Sequence, residues 1–367
     1  MKKSRKLLCM LLALVMVVSL LPVMAFAADE DIAAEEVVPA SVEEISPETA
    51  GIITDVFAKL PNYLVVVKTP WGMLAKGAQV VLYNQNSNTI VASEVATYGV
   101  AVFTKDQRLK AYTMSATWTQ KETGLTFKSA PRISVGKTLD MDVITVHPTF
   151  RIGLKDTDHN AYISGYPDGL VRPNNTLTRA EAAQIIFELM TDESKAQYAK
   201  KTGKTFIDVG KDHWAYEAIT MMTKASVLVG VGDGRFDPDA VMTREQFATM
   251  IAQLFMIEIN QPIGGFIFKD LNGGFADKYI SFLYMLGILE GKGDNMFGPK
   301  DSLTRAQAIT VVNKLIGRLP GEGTTSFGAV ADQMKTWPDN MDTTAWYYAA
   351  IQEATNSHDY TLDVNFN

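Results

Sequence analysis

One short segment occurs three times in this chain, and it constrains the fold more than any other feature of the sequence. The copies span residues 165–181, 230–246 and 291–307, and they align without a gap. Each runs from a turn rich in glycine and aspartate, past a proline, into an apolar stretch with helical spacing. Such repeats are supersecondary units that bury their apolar faces on their neighbours. The sequence therefore predicts an array of helical repeats.

Each copy contains the signature of a helix start. A threonine occupies the N-cap position, and Glu or Gln follows three residues later, which is the pattern of a capping box. The pairs are Thr178 with Glu181, Thr243 with Gln246, and Thr304 with Gln307. An arginine occupies the first helical position each time, as Arg179, Arg244 and Arg305.

These arginines are unexpected, because a cation at a helix N-terminus opposes the helix dipole at a cost of roughly 0.3–1 kcal/mol. A helix N-terminus attracts anions, and a guanidinium offers a planar fork to a carboxylate or phosphate. We therefore expect the three arginines to bind an anion. The alternative is that each pairs with an aspartate of the turns, such as Asp168, Asp233 or Asp294.

The three copies resemble S-layer homology (SLH) domains. The resemblance rests on Thr-Arg-Ala-Glu, Thr-Arg-Glu-Gln and Thr-Arg-Ala-Gln after Gly-x-x-Asp turns, and on the upstream segments 206–215 and 268–276. It covers residues 150–360. It implies a pseudo-threefold arrangement of helical repeats. The expected fold is therefore multidomain, with an N-terminal all-β sandwich and a C-terminal all-α SLH trimer closed by a C-terminal helix.

The resemblance also implies a ligand, the secondary cell-wall polysaccharide of Gram-positive-type bacteria, often ending in a sugar with a pyruvate ketal. The arginines would grip the ketal carboxylate, turn glycines would admit backbone N–H groups, aspartates would accept sugar hydroxyls and tryptophans would pack on a sugar. For the tryptophans, core packing is the alternative. The implied residues besides the arginines are Gly165, Gly230, Gly291, Asp208, Asp270, Asp339, Trp214 and Trp346.

The third copy departs from this pattern, because it has Phe275 in place of the tryptophan. The groove that uses Phe275 is expected to bind more weakly. On the assumption that Arg305 belongs to that groove, Arg305→Ala would cost less binding than Arg244→Ala.

The first copy lacks room for a first helix, and the end of the chain supplies a candidate. Residues 337–339 and 345–351 repeat the pattern of 206–208 and 213–219. We expect 336–360 to complete repeat 1, whose second half is 150–204, beside repeat 2 at 205–265 and repeat 3 at 266–320. The alternatives are an unpaired helix and a degenerate fourth repeat.

The N-terminal part divides into three segments. Residues 1–27 have the basic end, apolar run and Ala-Phe-Ala site of a secretory signal peptide. Residues 28–60 form an acidic linker. Residues 61–148 alternate short strands and turns, which favours a β-sandwich, and 77–103 resembles prealbumin-like modules of bacterial wall proteins. After cleavage the protein is expected to be exported to the wall or S-layer without a membrane span.

No catalytic constellation can be found, so no enzyme activity and no cofactor are expected. The four histidines are widely separated without metal spacing, and 156–167 lacks the glycine of a calcium loop. The net charge of −7 argues against nucleic-acid binding. Other S-layer proteins are candidate partners. The alternative function is a surface adhesin whose sandwich binds a glycan or protein, with the repeats as tether.

Overall fold

The computed structural model describes residues 62–70, 73–84, 89–121, 124–129, 133–136, 141–156, 159–255, 267–318 and 333–358. The expected signal peptide and acidic linker lie outside these ranges. None of the helices in the described ranges has the length and apolar character needed to cross a bilayer. Two compact units are present, one formed mainly within 62–144 and the other formed mainly by 145–358.

The described residues before position 149 are mainly in strands, which confirms the β-rich part of the expected fold. The strands are β1 (Asn62–Lys68), β2 (Gln79–Tyr83), β3 (Ile90–Val95), β4 (Val100–Thr104), β5 (Thr113–Thr119), β6 (Thr126–Lys128), β7 (Ile133–Ser134), β8 (Met141–Thr145) and β9 (His147–Pro148). They lie in a three-stranded sheet of order β4-β1-β8 and a sheet of order β3-β2-β5-β6-β9, with β7 paired to β5.

Alternation of side chains sets which face of each strand is buried. In β5, Met114, Ala116 and Trp118 are buried while the residues between them are half-buried or exposed. β1 pairs antiparallel with β4 in the register Leu64↔Val102. The sequence did not predict β7 or the helix α1 (Lys105–Lys110), which begins at a Thr104 capping box, because both are too short to show a period.

The C-terminal unit contains the expected helices and one that the sequence did not predict, α3. The helices are α2 (Arg179–Leu189), α3 (Asp192–Ala199), α4 (Tyr216–Lys224), α5 (Arg244–Ala252), α6 (Asp277–Met285), α7 (Arg305–Leu315) and α8 (Tyr348–Thr355). Pairs of helices pack so that the second helix of one copy lies on the first helix of the next: α2 on α4, α5 on α6, and α7 on α8.

Candidate functional site

The helix starts read from the sequence are confirmed. Thr178 accepts a hydrogen bond from the Glu181 backbone N–H at 3.2 Å, and the Glu181 carboxylate accepts one from the Thr178 N–H at 2.9 Å. The same reciprocal pair forms at Thr243 with Gln246 and at Thr304 with Gln307. Each helix therefore begins at its arginine with two backbone donors satisfied.

The backbone N–H groups of the first two helical residues bond to the turn of the following copy. Arg179 N donates to Ala240 O at 3.0 Å and Ala180 N donates to Pro238 O at 2.9 Å. The equivalent bonds run from Arg244 and Glu245 to the third turn, and from Arg305 and Ala306 to the first turn. An anion approaching these helix N-termini would therefore compete with carbonyl groups of the protein.

The arginine side chains follow the same cyclic order. Arg179 donates from Nε to Phe236 O at 2.9 Å and from Nη2 to Val229 O at 2.7 Å. Arg244 donates to Phe297 O and Glu290 O in the same way, and Arg305 donates from Nε to Val171 O at 3.1 Å. The principal partners of the guanidinium groups are thus carbonyls of the next turn, whereas the alternative considered above paired each group with a turn aspartate.

A cycle of backbone bonds joins the three copies one residue before each threonine. Leu177 N donates to Leu303 O at 2.8 Å, Leu303 N to Met242 O at 3.0 Å, and Met242 N to Leu177 O at 2.9 Å. Each of these residues therefore donates to one copy and accepts from the other, and the three bonds form a closed loop.

The aspartates shape the turns. Asp208 accepts hydrogen bonds from Phe236 N at 2.9 Å and Asp237 N at 2.7 Å, and Asp237 has a left-handed backbone with φ of 61°. Asp270 bonds in the same way to Phe297 N and Gly298 N, and Asp339 to Val171 N and Arg172 N. Each carboxylate thus holds a tight turn, in addition to any contact with a sugar.

These contacts predict acid sensitivity. Burial acts to raise the pKa of Asp208, but the N–H groups of Phe236 and Asp237 outweigh it and the pKa lies below its ordinary value. A carboxylate with a depressed pKa stabilises the fold above its unfolded pKa of about 3.9, and this stability is lost as the pH falls through the folded value. We expect Asp208→Asn to lower the free energy of unfolding at pH 7 by about 1–2 kcal/mol and to flatten its fall below pH of about 4.

Urea unfolding at a series of pH values measures this, with Asp239→Asn as the control because Asp239 is exposed. An Asp208→Asn curve parallel to that of the wild type would contradict the role in the turn.

The turn glycines pack against aromatic rings. A Cβ on Gly230 would lie 2.7 Å from the Phe206 ring and 2.6 Å from Arg235 O. Gly291 faces Phe268 in the same way, and Gly165 faces the ring of Trp337. These glycines are needed for close packing, so the admission of a ligand to backbone N–H groups stays a prediction.

The expected sugar-stacking residues lie at the surface. Trp214 is 61% exposed and Trp346 is 63% exposed, and Phe275 at the equivalent position is 59% exposed. Core packing of these rings is therefore excluded. Three exposed aromatic rings occupy the same position relative to the turn, one in each copy counted with the tail.

The arginine of the third copy differs from the other two. Its Nη1 donates to Glu181 at 3.2 Å, with both side chains nearly buried, whereas Gln246 and Gln307 stand at the equivalent position. Tyr166 also donates to Glu181, and burial together with this hydrogen bond raises the pKa of Tyr166 to about 12. The charge of Arg305 is therefore compensated within the protein. Comparing the copies could have found this, because Glu181 is the one acid at that position.

Phe275 belongs with the arginine of the second copy. Lys300 lies 6.0 Å from the Phe275 ring centre and 2.5 Å from the Glu245 carboxylate. Glu245 follows Arg244, which bonds to the same turn. The aromatic position occupied by Phe275 therefore lies with Arg244, whereas the sequence-based ranking paired it with Arg305.

The expectation that the four histidines lie far apart is wrong for two of them. His159 and His358 are 4.9 Å apart between ring centres, although most of the repeat region separates them in sequence. Residues 157–158 of the rejected calcium segment lie outside the described ranges.

Comparison with known proteins identifies the repeats. A family model described as S-layer homology domain matches residues 158–183, 205–248 and 267–309. A cellulosome-anchoring protein of Acetivibrio thermocellus is 34% identical over 213 residues, which are 57% of this chain and 45% of that protein. Cell surface glycoprotein 1 of the same organism is 31% identical over 220 residues, or 56% of this chain and 9% of that protein.

S-layer protein sap of Bacillus anthracis is 30% identical over 128 residues, or 34% of this chain and 16% of that protein. The chain thus spans less than half the length of these relatives. The three matched segments are S-layer homology domains, and the resemblance of 77–103 to prealbumin-like modules stays a prediction.

Proposed function

We propose, from the premise that residues 158–183, 205–248 and 267–309 are S-layer homology domains, that this chain anchors itself non-covalently to a bacterial cell wall by binding its secondary polysaccharide. The observation that carries the proposal is the set of exposed rings of Trp214, Phe275 and Trp346. Aromatic rings exposed at equivalent positions favour binding to the apolar face of a sugar. The protein would then act at the cell surface without catalysis.

The proposed binding region is a ring of three repeats with approximate threefold symmetry. Residues 336–360 would complete repeat 1, formed otherwise by 150–204, beside repeats at 205–265 and 266–320. The contacts of Asp339 with the first turn support this, because they reproduce those of Asp208 with the second turn. The ring of Trp337 against Gly165 likewise corresponds to Phe206 against Gly230.

The ligand chemistry we propose is a sugar that bears a carboxylate, such as a pyruvate ketal. A guanidinium has five N–H donors, and within the described residues the hydrogen bonds of Arg179 and Arg244 occupy only Nε and Nη2. The remaining donors can meet a carboxylate. Asp208, Asp270 and Asp339 would add contacts to sugar hydroxyls, and Gly165, Gly230 and Gly291 would keep the adjoining backbone accessible.

The three surfaces should bind unequally. Repeat 2 combines Trp214 with Arg179, which contacts its turn. Gln246 stands at the position equivalent to Glu181, so within the described residues Arg179 lacks an ion pair like that of Arg305 with Glu181. Repeat 3 has the smaller ring of Phe275 beside Arg244. Repeat 1 has Trp346, but Glu181 compensates the charge of Arg305, the arginine that contacts the turn of repeat 1. We therefore propose that repeat 2 binds most tightly, and that several weaker sites on one polymer add avidity.

We expect Trp214→Ala to weaken sedimentation with cell walls about tenfold, the equivalent of roughly 1.4 kcal/mol of lost stacking, with an unchanged melting temperature. Phe275→Ala should have a smaller effect. Leu109→Ala is the matched control, because Leu109 is an exposed apolar residue of the other unit, at 79%.

Two further measurements identify the ligand. The first uses walls chemically stripped of the secondary polymer, and the second compares a pyruvylated sugar with an unmodified sugar as competitors for wall binding. Equal sedimentation of the wild type with stripped walls would rule out the polysaccharide. If both sugars competed equally well, the polysaccharide would remain the proposed ligand, but recognition of the ketal would be ruled out.

A second candidate function is supported by the N-terminal unit. Ile90, Val95 and Tyr98 are more than half exposed along β3 and the turn after it, which is typical of a contact surface. The unit would bind a glycan or protein, or a neighbouring S-layer protein, while the repeats hold it on the wall. Loss of surface adhesion in an Ile90/Val95 double alanine variant that still binds walls would favour it.

A further inference from the structure

Two histidines and a glutamate lie together where the end of the chain meets the start of the repeat region. His159 Nδ1 is 2.8 Å from Glu353 Oε1, and His358 Nε2 is 3.3 Å from Glu353 Oε2. One potential ligand atom from each of the three residues can be chosen so that all lie within 4.8 Å of one another. Imidazole nitrogen and carboxylate oxygen are the ligand types of a three-residue zinc site.

The cluster is shielded from solvent. The side chains of Glu353 and His358 are 2% exposed, and that of His159 is 10% exposed. A buried carboxylate is unfavourable unless a positive charge or hydrogen bonds compensate it. The slight exposure of His159 also offers an approach from solvent.

Backbone hydrogen bonds hold the three residues in place. His358 N donates to His159 O at 3.0 Å, and both Tyr162 N and Ile163 N donate to Ala354 O at 3.0 Å. Segment 159–163 therefore lies against the last turn of α8, so the ligands are preorganised across the joint between the two segments. Sequence spacing could not show this, because His159 and Glu353 come from opposite ends of the repeat region.

We propose that His159, Glu353 and His358 bind a single transition-metal ion, most favourably Zn²⁺, with the fourth position open to water. Tetrahedral ligands at about 2.1 Å from zinc lie about 3.4 Å apart. Ligand atoms separated by up to 4.8 Å would therefore have to approach one another by up to about 1.4 Å. Two imidazoles select against Ca²⁺ and Mg²⁺, which prefer oxygen ligands. The ion compensates the Glu353 charge and clamps α8 to the start of repeat 1.

Arg318 also packs against the segment that carries His159, because it donates to Asn160 O at 2.7 Å and Lys155 O at 2.9 Å. Burial raises the pKa of Tyr162 well above its ordinary value. The charge of Arg318 acts to lower this pKa, and the charge of Glu353 acts to raise it. In the competing arrangement without a metal, Glu353 is compensated by its contacts with the two histidines.

The test uses the full chain without an affinity tag, stripped with a chelator and dialysed against Zn²⁺, and zinc content is then measured by elemental mass spectrometry. We expect one zinc per chain, and a melting temperature raised by about 5–10 °C at a zinc concentration a hundredfold above Kd. His159→Gln and His358→Gln should each lose the zinc and the shift. His147→Gln is the matched control, because His147 lies in β9 and pairs with Asp156.

Glutamine at 159 keeps a donor for Glu353, so a folded variant is expected, and far-UV circular dichroism checks it. If a variant does not fold, the visible spectrum of Co²⁺ bound to the wild type is measured instead, since this spectrum reports four-coordinate binding with imidazole. Absence of zinc in the wild type, or zinc retained in both His159→Gln and His358→Gln, would overturn the proposal, and so would a cobalt spectrum of the free ion.

Discussion

A chain that ends after residue 330 is expected to lose cooperative folding of its repeat region. It would lack Trp337 and Ile351, which are 2% and 0% exposed, and the Asp339 carboxylate that holds the first turn. Removing two such buried side chains alone costs roughly 5 kcal/mol or more. That is comparable with the whole stability of a typical domain, about 5–15 kcal/mol. The thermal transition of the repeat region should broaden or vanish, and wall binding should fall with it.

Adding back a synthetic peptide of residues 333–358 gives this experiment its control. The peptide should restore the transition and wall sedimentation in a concentration-dependent way, because it supplies the same contacts in trans. A peptide with Trp337→Ala and Ile351→Ala should not. An unchanged transition in the truncated chain would show that α8 is a dispensable appendage, as in the unpaired-helix alternative.

Arg179→Ala is expected to destabilise the repeat region by about 2–4 kcal/mol, since it removes two charge-assisted hydrogen bonds to carbonyls of the next turn. Arg179 is 7% exposed and its guanidinium lies 4.5 Å from the Phe236 ring centre, so packing is lost as well. Urea unfolding at neutral pH measures the change. Wall binding should fall at temperatures near the lowered transition even if the arginine never touches the ligand.

The control is Arg235→Ala, because Arg235 is 52% exposed and its ion pairs with Asp208 and Asp237 are long, at 3.6 and 3.4 Å. It should change the free energy of unfolding by under about 1 kcal/mol. If Arg179→Ala instead abolished wall binding with its stability within about 0.5 kcal/mol of the wild type, the arginine would act on the ligand alone.

Local features of the repeats could be predicted from the sequence because they depend on neighbours in the chain. The capping boxes at Thr178, Thr243 and Thr304 are of this kind, and so is the arginine at the first helical position. Internal similarity extended the prediction to the tail, where Trp337 and Asp339 copy Phe206 and Asp208. Their contacts with the first turn support the proposal that the tail completes repeat 1.

The partners that side chains contact in another repeat could not be predicted. A guanidinium at a helix start has a similar sequence context whether it bonds to a ligand, to an aspartate or to a distant carbonyl. Only the relative placement of two repeats decides between Phe236 O and the turn aspartates as the partner of Arg179. The same reason hid the pairing of Phe275 with Arg244, and the meeting of His159 with His358.

The contacts of Asp339 also bear on the order in which the repeats fold. Its partner Val171 lies 168 residues earlier in the chain, so these contacts with the first turn can form only after residue 339 has been synthesised. Contacts of such high sequence separation form late and slow folding. Under the proposed arrangement, the repeat that is synthesised first is therefore completed last. Under the proposed anchoring function, a chain interrupted before residue 339 would lack a finished first repeat for attachment to the wall.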